Sequence, residues 1–158
     1  MSDIIYMKVE GKSQGVISQN ASSFSSIGNK HQSGHEDECY LYQVNSSAYR
    51  DLATNIGHMS LTKLIDGATP LLSLALSNGE ELNIEISFYR HTGTQSCELY
   101  FKTLFRKAYI TQQNIAMGND SSQSDIETLM VKYGDVTHKH VTANTHGYIV
   151  WSDKPKQD

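Results

Sequence analysis

Residues 81–106 read ELNIEISFYRHTGTQSCELYFKTLFR, and this stretch decides the fold. Every second residue from Leu82 to Phe88 is apolar and its neighbours are mostly polar, so an extended strand would bury one face and expose the other. From Cys97 to Phe105 the alternation returns with apolar, aromatic and β-branched side chains. Residues 91–95 contain a glycine and suit a hairpin loop. The stretch therefore predicts two antiparallel strands joined by a short connection.

Runs rich in β-branched and aromatic residues predict more strands on both sides of this hairpin. In chain order they cover residues 3–9, 39–44, 58–65, 126–133, 136–141 and 148–151, with a weaker strand at 16–22. Between them we expect residues 22–26 to be irregular, 45–47 to interrupt the strands, and 112–124 to be a surface loop.

One segment has a helical instead of an alternating pattern. Its apolar residues lie four apart after Thr69-Pro70, which predicts a short helix over Thr69–Asn78. Thr69 suits the N-cap, Pro70 the first helical position, and Gly79 the left-handed residue that often ends a helix. A helix this short is marginal alone in water, so we expect its leucines to dock on a larger apolar surface.

These elements predict a mainly β fold: a small β-barrel of two antiparallel sheets with one short flanking α-helix at about Thr69–Asn78. The chain has 158 residues, 38% of them hydrophobic and 19% charged. That composition suits a single domain over residues 1–158, with 154–158 as a frayed tail. Cys39 and Cys97 are far apart in strand-like patterns, so we expect two reduced thiols in the core and no disulfide.

Charge and hydropathy exclude several function classes. The formal net charge is −4, which argues against nucleic acid as the main partner, because binding a phosphate backbone needs a basic face. No stretch approaches the ~18 consecutive apolar residues of a membrane span, so membrane insertion is not expected. The N-terminus has no basic segment followed by an apolar run. We expect a soluble cytoplasmic chain that, if exported, leaves the cell without a cleaved signal peptide.

The segment Gly28–Glu38, GNKHQSGHEDE, is the most unusual part of the chain. It has two glycines, two histidines, three acids and no aliphatic residue. Polar loops of this length between strands are uncommon in compact domains and are often functional. We predict that this loop contacts a neighbouring copy of the chain. The residues assigned to this contact are Asn29, Lys30, His31, Gln32, Ser33, Gly34, His35, Glu36 and Asp37.

Histidines suggest two metal sites, and both compete with a simpler interpretation. His31 and His35 lie beside three acids, and imidazole with carboxylate suits zinc. The segment is not helical, however, so the four-residue spacing does not place both rings on one face. His138 and His140 share one face of a predicted strand, with His146 as a possible third ligand. A polar strand face explains this pair as well, and we predict no metal and no cofactor.

No catalytic arrangement is visible in the sequence. It has no G-x-S-x-G, no P-loop, no G-x-G-x-x-G and no cysteine pair at zinc spacing. No serine or cysteine has a base that the sequence identifies, so we expect that the protein is not an enzyme. Trp151 can stack on a sugar or a base, but aromatic residues near a strand end more often fill the end of a barrel.

Several blocks of the chain resemble the haemolysin-coregulated protein (Hcp) family of type VI secretion systems. The blocks are MSDIIYMKVEGKSQG, SIGNKHQSGHEDE, IDGATPLLSLALSNGEEL with ISFYR, and VKYGDVTHKHVTANTHGYIVWSD. The first two are the most specific. The resemblance runs from Met1 to Asp153, and nothing is carried over for residues 112–126.

This resemblance implies a small barrel of two sheets with one flanking helix. It also implies hexameric rings that stack into a secreted inner tube, beneath a spike protein and inside a contractile sheath, with small effector proteins in the lumen. Gly28–Glu38 occupies the position of the family's loop that reaches a neighbouring protomer. Two alternatives remain: a monomeric barrel that binds a small ligand in its interior, and a hydrolase that uses histidines of the loop and of the C-terminal strands.

Overall fold

The computed structural model describes residues 4–28, 34–52, 54–93, 96–119 and 125–150. Two helices and eleven strands lie within them. In chain order they are β1 Ile4–Gly11, β2 Gly15–Val16, α1 Phe24–Ile27, β3 Cys39–Asn45, β4 Ala48–Arg50, β5 Thr54–Ile56, β6 Met59–Leu64, α2 Thr69–Asn78, β7 Leu82–His91, β8 Cys97–Ala116, β9 Ile126–Lys132, β10 Asp135–His140 and β11 Thr145–Val150.

The strands confirm the predicted mainly β barrel. Hydrogen-bonded neighbours run β8-β7-β1-β3-β6-β9, and β9 pairs again with β8, which closes the ring of strands. All of these pairings are antiparallel. β10 and β11 extend the sheet beyond the barrel from β8, and β4 with β5 forms a separate two-stranded sheet. The two-sheet prediction thus corresponds to one large closed sheet and one short hairpin.

The 20-residue strand β8 makes this closure possible because it pairs with different strands along its two halves. Its first half pairs with β7 and β10, and residues 109–116 pair with β9. Lys107 lies at the change of partner with φ of 53°, a left-handed conformation that is costly for a residue with a side chain. Gly134 lies against it, and a Cβ there would be 3.1 Å from that of Lys107. A side chain at position 134 would therefore crowd the Lys107 stem by a few tenths of an ångström.

The barrel interior is filled with apolar side chains that the alternating strands direct inward. The inward positions of β7 and β8 are occupied as expected, with Leu82, Ile84, Ile86 and Phe105 each at most 2% exposed. Apolar residues of β1, β6 and β9 complete the core. Within the described residues, these apolar side chains occupy the barrel interior, which does not favour the alternative of a ligand cavity there.

Helix α2 has the predicted bounds and packs on the barrel through one face. Leu72 and Ala75 are each 1% exposed, whereas Leu74 on the outer face is 51% exposed. Gly79 ends the helix with φ of 60°, as predicted. The N-cap is Ala68 instead of Thr69, whose hydroxyl donates to the buried Glu127 carboxylate at 2.8 Å and accepts from the amide of Asp66 at 3.1 Å.

A buried ionic network joins the start of α2 to β6 and β9. Lys63 Nζ donates to Glu127 Oε1 at 2.7 Å and to Asp66 Oδ1 at 2.9 Å, and its side chain is 0% exposed. Burial lowers the pKa of Lys63, but Cys39, Asp66 and Glu127 raise it more, so its pKa lies above the ordinary value and the ammonium keeps its proton. Asp66 Oδ2 is buried and accepts no hydrogen bond from any described residue. The network was not predicted from the sequence.

Other local predictions were wrong. Residues 16–22 form no strand beyond Val16, because the Ser18 hydroxyl and the turn that carries it take up the free backbone groups of Val9. Residues 22–26 include the start of α1. The strand β8 continues to Ala116 through part of the predicted loop 112–124. The hairpin of β4 and β5 was not predicted, and β11 begins at Thr145, before the predicted start at residue 148.

Candidate assembly surface

The described part of the polar loop, Gly34–Glu38, lies on the outer face of β1. The imidazole of His35 stacks on the ring of Tyr6, with centroids 4.0 Å apart and planes within 4°. His35 Nδ1 also lies 2.9 Å from Glu38 Oε1. Tyr6 is thereby covered to 2% exposure, and burial is the main cause that raises its pKa to about 12. The loop is therefore anchored where it returns to the barrel.

The anchoring extends to the backbone and to the acids of this segment. The amide of Asn20 donates to Asp37 Oδ1 at 3.0 Å, and the amide of Ser22 donates to the carbonyl of Glu36 at 3.0 Å. The hydroxyl of Ser22 donates to the carbonyl of Glu38. Glu36, Asp37 and Glu38, here called the acidic segment, thus lie in a fixed arrangement at the surface.

The predicted contact residues therefore divide into two groups. Gly34, His35, Glu36 and Asp37 are described, and the last three contact Tyr6, Ser22 and Asn20 of their own chain. The other five lie outside the described residues: Asn29, Lys30, His31, Gln32 and Ser33. The contact with a neighbouring copy stays a prediction for both groups.

A groove of about 840 Å³ runs across the end of the barrel where β7 begins and β9 ends. We call it the basal groove. The side chains that characterise it are Glu81, Arg106, Lys107, Tyr109, Lys132 and Tyr148. A smaller groove of about 390 Å³ adjoins it beside the end of α2 and shares Glu81 and Tyr109 with it. Sequence analysis did not predict this surface.

Two cations of the basal groove are held in place. Arg106 Nε donates to Asp135 Oδ1 at 2.8 Å and Nη2 donates to Oδ2 at 3.3 Å, while its guanidinium lies 5.9 Å from the centre of the Tyr148 ring. The stem of Lys107 packs on Gly134 at the left-handed position described above. Lys132, at the end of β9, is exposed on the same groove. Three cations thus line the groove together with the acids Glu81 and Asp135, of which Asp135 is paired with Arg106.

A second exposed surface joins the β4–β5 hairpin to β11. Tyr49 is 63% exposed, Leu52 79%, Tyr148 54% and Val150 50%. A groove of about 370 Å³ lies between the two elements. Exposed apolar side chains grouped in this way are typical of surfaces that contact other proteins.

The C-terminal histidines do not form a common site. His138 and His140 share one face of β10, but the register pairs His146 with Lys139, so His146 belongs to the opposite face. His138 Nδ1 lies 3.1 Å from Thr103 Oγ1, and His140 Nδ1 accepts a hydrogen bond from the amide of Ala143 at 3.1 Å. Within the described residues, no three His, Cys, Asp or Glu side chains are grouped so that they can hold a metal ion.

The two cysteines are both free, but only one lies in the core. Cys39 is 0% exposed, and burial followed by the charge of Asp66 raises the pKa of its thiol. Cys97 is exposed at the start of β8, where its Sγ lies 3.5 Å from His91 Nδ1. The prediction of a core position was wrong for Cys97, because β7 and β8 end in an exposed hairpin there.

The remaining sequence predictions concern a membrane span and the positions of C-terminal residues. In the part of the chain that the structure describes, neither helix has the length and apolar character that crossing a membrane requires. Trp151 and the tail 154–158 lie outside the described residues, so their predicted positions are untested.

Comparison with known proteins identifies the family of this chain. Residues 6–140 match the family model described as "Type VI secretion system effector, Hcp". The chain is 33% identical over 146 residues to the uncharacterized protein YhhZ of Escherichia coli K12, and this match covers 92% of the chain but 37% of YhhZ. It is 29% identical over 166 residues to the "Major exported protein" of Pseudomonas aeruginosa PAO1, with 96% of each covered.

The fold leads to the same family. A crystal structure described as that of an Hcp protein superposes with a TM-score of 0.90 at 28% sequence identity, and the match covers 97% of this chain and 100% of the other. The barrel, the extension formed by β10 and β11, and the flanking helix are therefore features shared with a solved relative.

Proposed function

We propose that this chain, which belongs to the Hcp family of type VI secretion system effectors, is a subunit of the secretion tube. Six copies form a ring, rings stack into a tube, and small effector proteins travel in the lumen. The tube works with the spike protein and the contractile sheath of the same system. The observation that carries the proposal is the family match over residues 6–140.

The arrangement of surfaces supports assembly. A closed ring and a stack of rings both need contacts between two different faces of the same subunit. The anchored acidic segment, the basal groove and the exposed patch of the β4–β5 hairpin with β11 supply three such faces. The first two faces are polar, which lets a free subunit remain in water before it assembles, and the third exposes apolar side chains that a neighbouring subunit can cover.

Export of the subunit belongs to the same proposal. The P. aeruginosa relative carries the name "Major exported protein". We expect this chain to be made in the cytoplasm and released by the type VI route.

The proposal assigns no catalytic role to the chain. His35 and His138, which the hydrolase alternative requires, have separate surroundings: His35 lies between Tyr6 and Glu38, and His138 lies beside Thr103. Neither pair places a nucleophile beside a base that a third group orients. Any enzymatic activity that accompanies the tube would belong to a passenger protein.

The direct test is the mass of the native particle together with electron microscopy. We expect a hexamer by native mass spectrometry at micromolar protein concentration and rings with an open centre in the images. A species that stays monomeric across this range would exclude the tube subunit and favour the monomeric barrel.

The predicted contact loop is tested by replacing Asn29–Ser33, five residues, with glycine and serine while the His35 anchor stays intact. We expect the barrel to keep its circular dichroism spectrum and its thermal unfolding temperature, and the hexamer population to fall. Replacing the exposed Thr142–Asn144 turn in the same way serves as the control. A loop variant that assembles like the parent would show that these residues make no essential contact.

A further inference from the structure

We infer that His91 and Cys97 bind a zinc ion where β7 and β8 meet in their exposed hairpin. The site lies within a single chain, so it does not depend on the assembly proposed above. It adds a ligand of stated chemistry to the molecule: a divalent cation held by one thiolate and one imidazole, with two further coordination positions open to water.

The register of the hairpin brings the two side chains together. His91 is the last residue of β7 and Cys97 is the first residue of β8, and they lie directly opposite each other. Opposite residues of an antiparallel pair point to the same face of the sheet. Cys97 Sγ lies 3.5 Å from His91 Nδ1, and both residues are exposed. An ion can therefore reach both donor atoms without any opening of the barrel.

The separation of the two donor atoms is that of a tetrahedral zinc site. Zinc binds thiolate sulfur at about 2.3 Å and imidazole nitrogen at about 2.0–2.1 Å. At the tetrahedral angle of about 109°, these bond lengths place sulfur and nitrogen about 3.5–3.6 Å apart. Linear coordination by the same two atoms would need about 4.4 Å. The observed 3.5 Å thus fits a tetrahedral ion without movement of the two strands.

Zinc takes the place of one proton between the two side chains. When the Cys97 thiol donates to Nδ1, the lone pair of this nitrogen already faces the sulfur. On binding, the S–H bond breaks, Zn–S and Zn–N bonds form, and the proton leaves to solvent. The step consumes no oxidant or reductant. Binding therefore releases one proton per zinc and weakens as the pH falls.

Two neighbouring residues hold the strands together beside the pair. The amide and the hydroxyl of Thr92 donate to the carbonyl of Ser96 at 3.2 and 3.1 Å, and the two hydroxyl oxygens lie 2.7 Å apart. These contacts are adjacent to His91 and Cys97 along the chain. They reduce the freedom of the two strand ends, so the donor atoms lose less conformational entropy when they bind an ion.

The donor set favours zinc over magnesium or calcium, which prefer oxygen ligands. The acid next to Cys97 is Glu98, which points to the opposite face of β8 and accepts from Arg90 Nε at 2.7 Å. Within the described residues, no third His, Cys, Asp or Glu side chain joins the pair. Two of the four tetrahedral positions therefore remain for water, as in zinc sites that exchange a ligand.

The other cysteine does not compete for the ion. Cys39 is 0% exposed, and burial raises the pKa of its thiol well above the ordinary value. Zinc binds the thiolate, so a neutral thiol in the core is not a ligand. We therefore expect one site per chain, and Cys39 serves as an internal reference in the same molecule.

The test is a cobalt(II) titration of the reduced full chain, followed by displacement with zinc. Cobalt(II) is a spectroscopic substitute for zinc, and an absorption band from thiolate-to-cobalt charge transfer appears only when sulfur is a ligand. We expect this band to saturate at one cobalt per chain below about 1 mM free metal. Zinc should then abolish the band, because thiolate ligands select zinc.

Three variants separate the pair from general metal binding. Cys97→Ser should abolish the charge-transfer band, and His91→Gln should raise the Kd for zinc at least tenfold. His146→Gln is the matched control, because this histidine is also exposed but lies on β11. It should bind like the parent. Circular dichroism of each variant excludes a folding defect, which is not expected at exposed residues of a strand end.

Alkylation by iodoacetamide, measured by mass spectrometry, gives a second readout. Zinc should slow the labelling of Cys97 at least tenfold in the parent, while Cys39 stays unlabelled with or without the metal. The inference is overturned if the parent shows no saturable binding below about 1 mM metal, or if the band persists in Cys97→Ser. Equal protection of Cys97 in the parent and in His91→Gln would assign binding to the thiol alone and overturn the pair.

Discussion

Two clusters of this molecule place carboxylates in opposite settings, one in the core and one at the surface. The first joins Lys63 to Asp66 and Glu127, and all three side chains are at most 1% exposed. The second is the acidic segment at the surface with the neighbouring His35, where the His35 and Glu38 side chains are 24% and 23% exposed. The closest contacts have similar lengths, 2.7 Å from Lys63 Nζ to Glu127 Oε1 and 2.9 Å from His35 Nδ1 to Glu38 Oε1, so distance does not separate them.

The difference lies in what each cluster loses when one partner is removed. A buried charge without a partner has no water to replace it, so the remaining groups destabilise the fold. A surface charge is screened and hydrated, so its loss changes the free energy of unfolding little. The loss does change the electrostatic surface that the protein presents to another molecule. The buried cluster therefore serves the fold, and the exposed segment is suited to contacts between molecules.

The sharpest test of this contrast is Lys63→Met. The substitution leaves Asp66 and Glu127 buried without their cation, and breaking a buried pair in this way costs about 3–5 kcal/mol. Urea denaturation at one fixed protein concentration measures the free energy of unfolding. Lys102→Met is the matched control, because Lys102 pairs with Glu85 at 2.7 Å while both side chains are 39% exposed. We expect less than about 1 kcal/mol there, and equal losses at the two lysines would contradict the contrast.

Helix α2 extends the comparison from charges to apolar contacts. Leu72→Ala removes a side chain that is 1% exposed between the helix and the barrel, so we expect a loss of about 2–5 kcal/mol in unfolding free energy. Leu74→Ala on the outer face of the same helix, 51% exposed, should change it by no more than about 0.5 kcal/mol. Denaturation curves for the two variants are compared directly. A large loss at Leu74 in the isolated subunit would mean that the helix packs through another face.

Sequence periodicity predicted the barrel because most of its strands alternate. The predictions of β7 and of the first half of β8 were correct for this reason. The predicted docking of α2, which occurs through Leu72, was correct as well. The end of β8 was missed because Gln112–Asn114 is polar on both faces, so no alternation marks it as a strand. Its pairing with β9 holds it in the sheet. Whether such a segment forms a strand depends on its pairing partners, and these cannot be identified from a single sequence.

The buried network was missed although the sequence carries a signal for it. Lys63 is two residues from Leu61, and Glu127 is two residues from Leu129, so both lie at inward positions of alternating strands. An inward lysine needs an acid opposite it, and β6 pairs Lys63 directly with Glu127. The basal groove left no comparable signal, because Arg106, Lys132 and Tyr148 come together only through the closure of the sheet.

His35 tests the exposed side of the comparison. His35→Ala removes the ring that stacks on Tyr6 and the contact with Glu38, a loss of about 1 kcal/mol for a stacked aromatic pair. The better readout is local: hydrogen exchange at the amides of Asn20 and Ser22, which donate to the segment, should accelerate. His140→Ala is the control, and we expect exchange at these two amides to be unchanged there.

The smallest expected effect concerns pH and involves His138. Burial lowers the pKa of this histidine below its ordinary value of 6.5. The folded state therefore binds a proton less readily than the unfolded state, whose histidine titrates near the ordinary value. Stability from this group is complete above pH 6.5 and decreases as the pH falls from there toward the lower folded pKa.

His138→Gln should remove this part of the acid sensitivity, measured as the change in denaturation midpoint between pH 7.5 and 5.5. Thr103→Val separates the causes, because it removes the hydroxyl 3.1 Å from His138 Nδ1 but keeps the site buried. If burial controls the pKa, the Thr103→Val protein retains the parent's pH dependence while its overall stability shifts. If the hydrogen bond controls it, the Thr103→Val and His138→Gln proteins lose the same portion, and the explanation by burial is wrong. A polar contact, and not burial, would then control the protonation of this partly buried histidine.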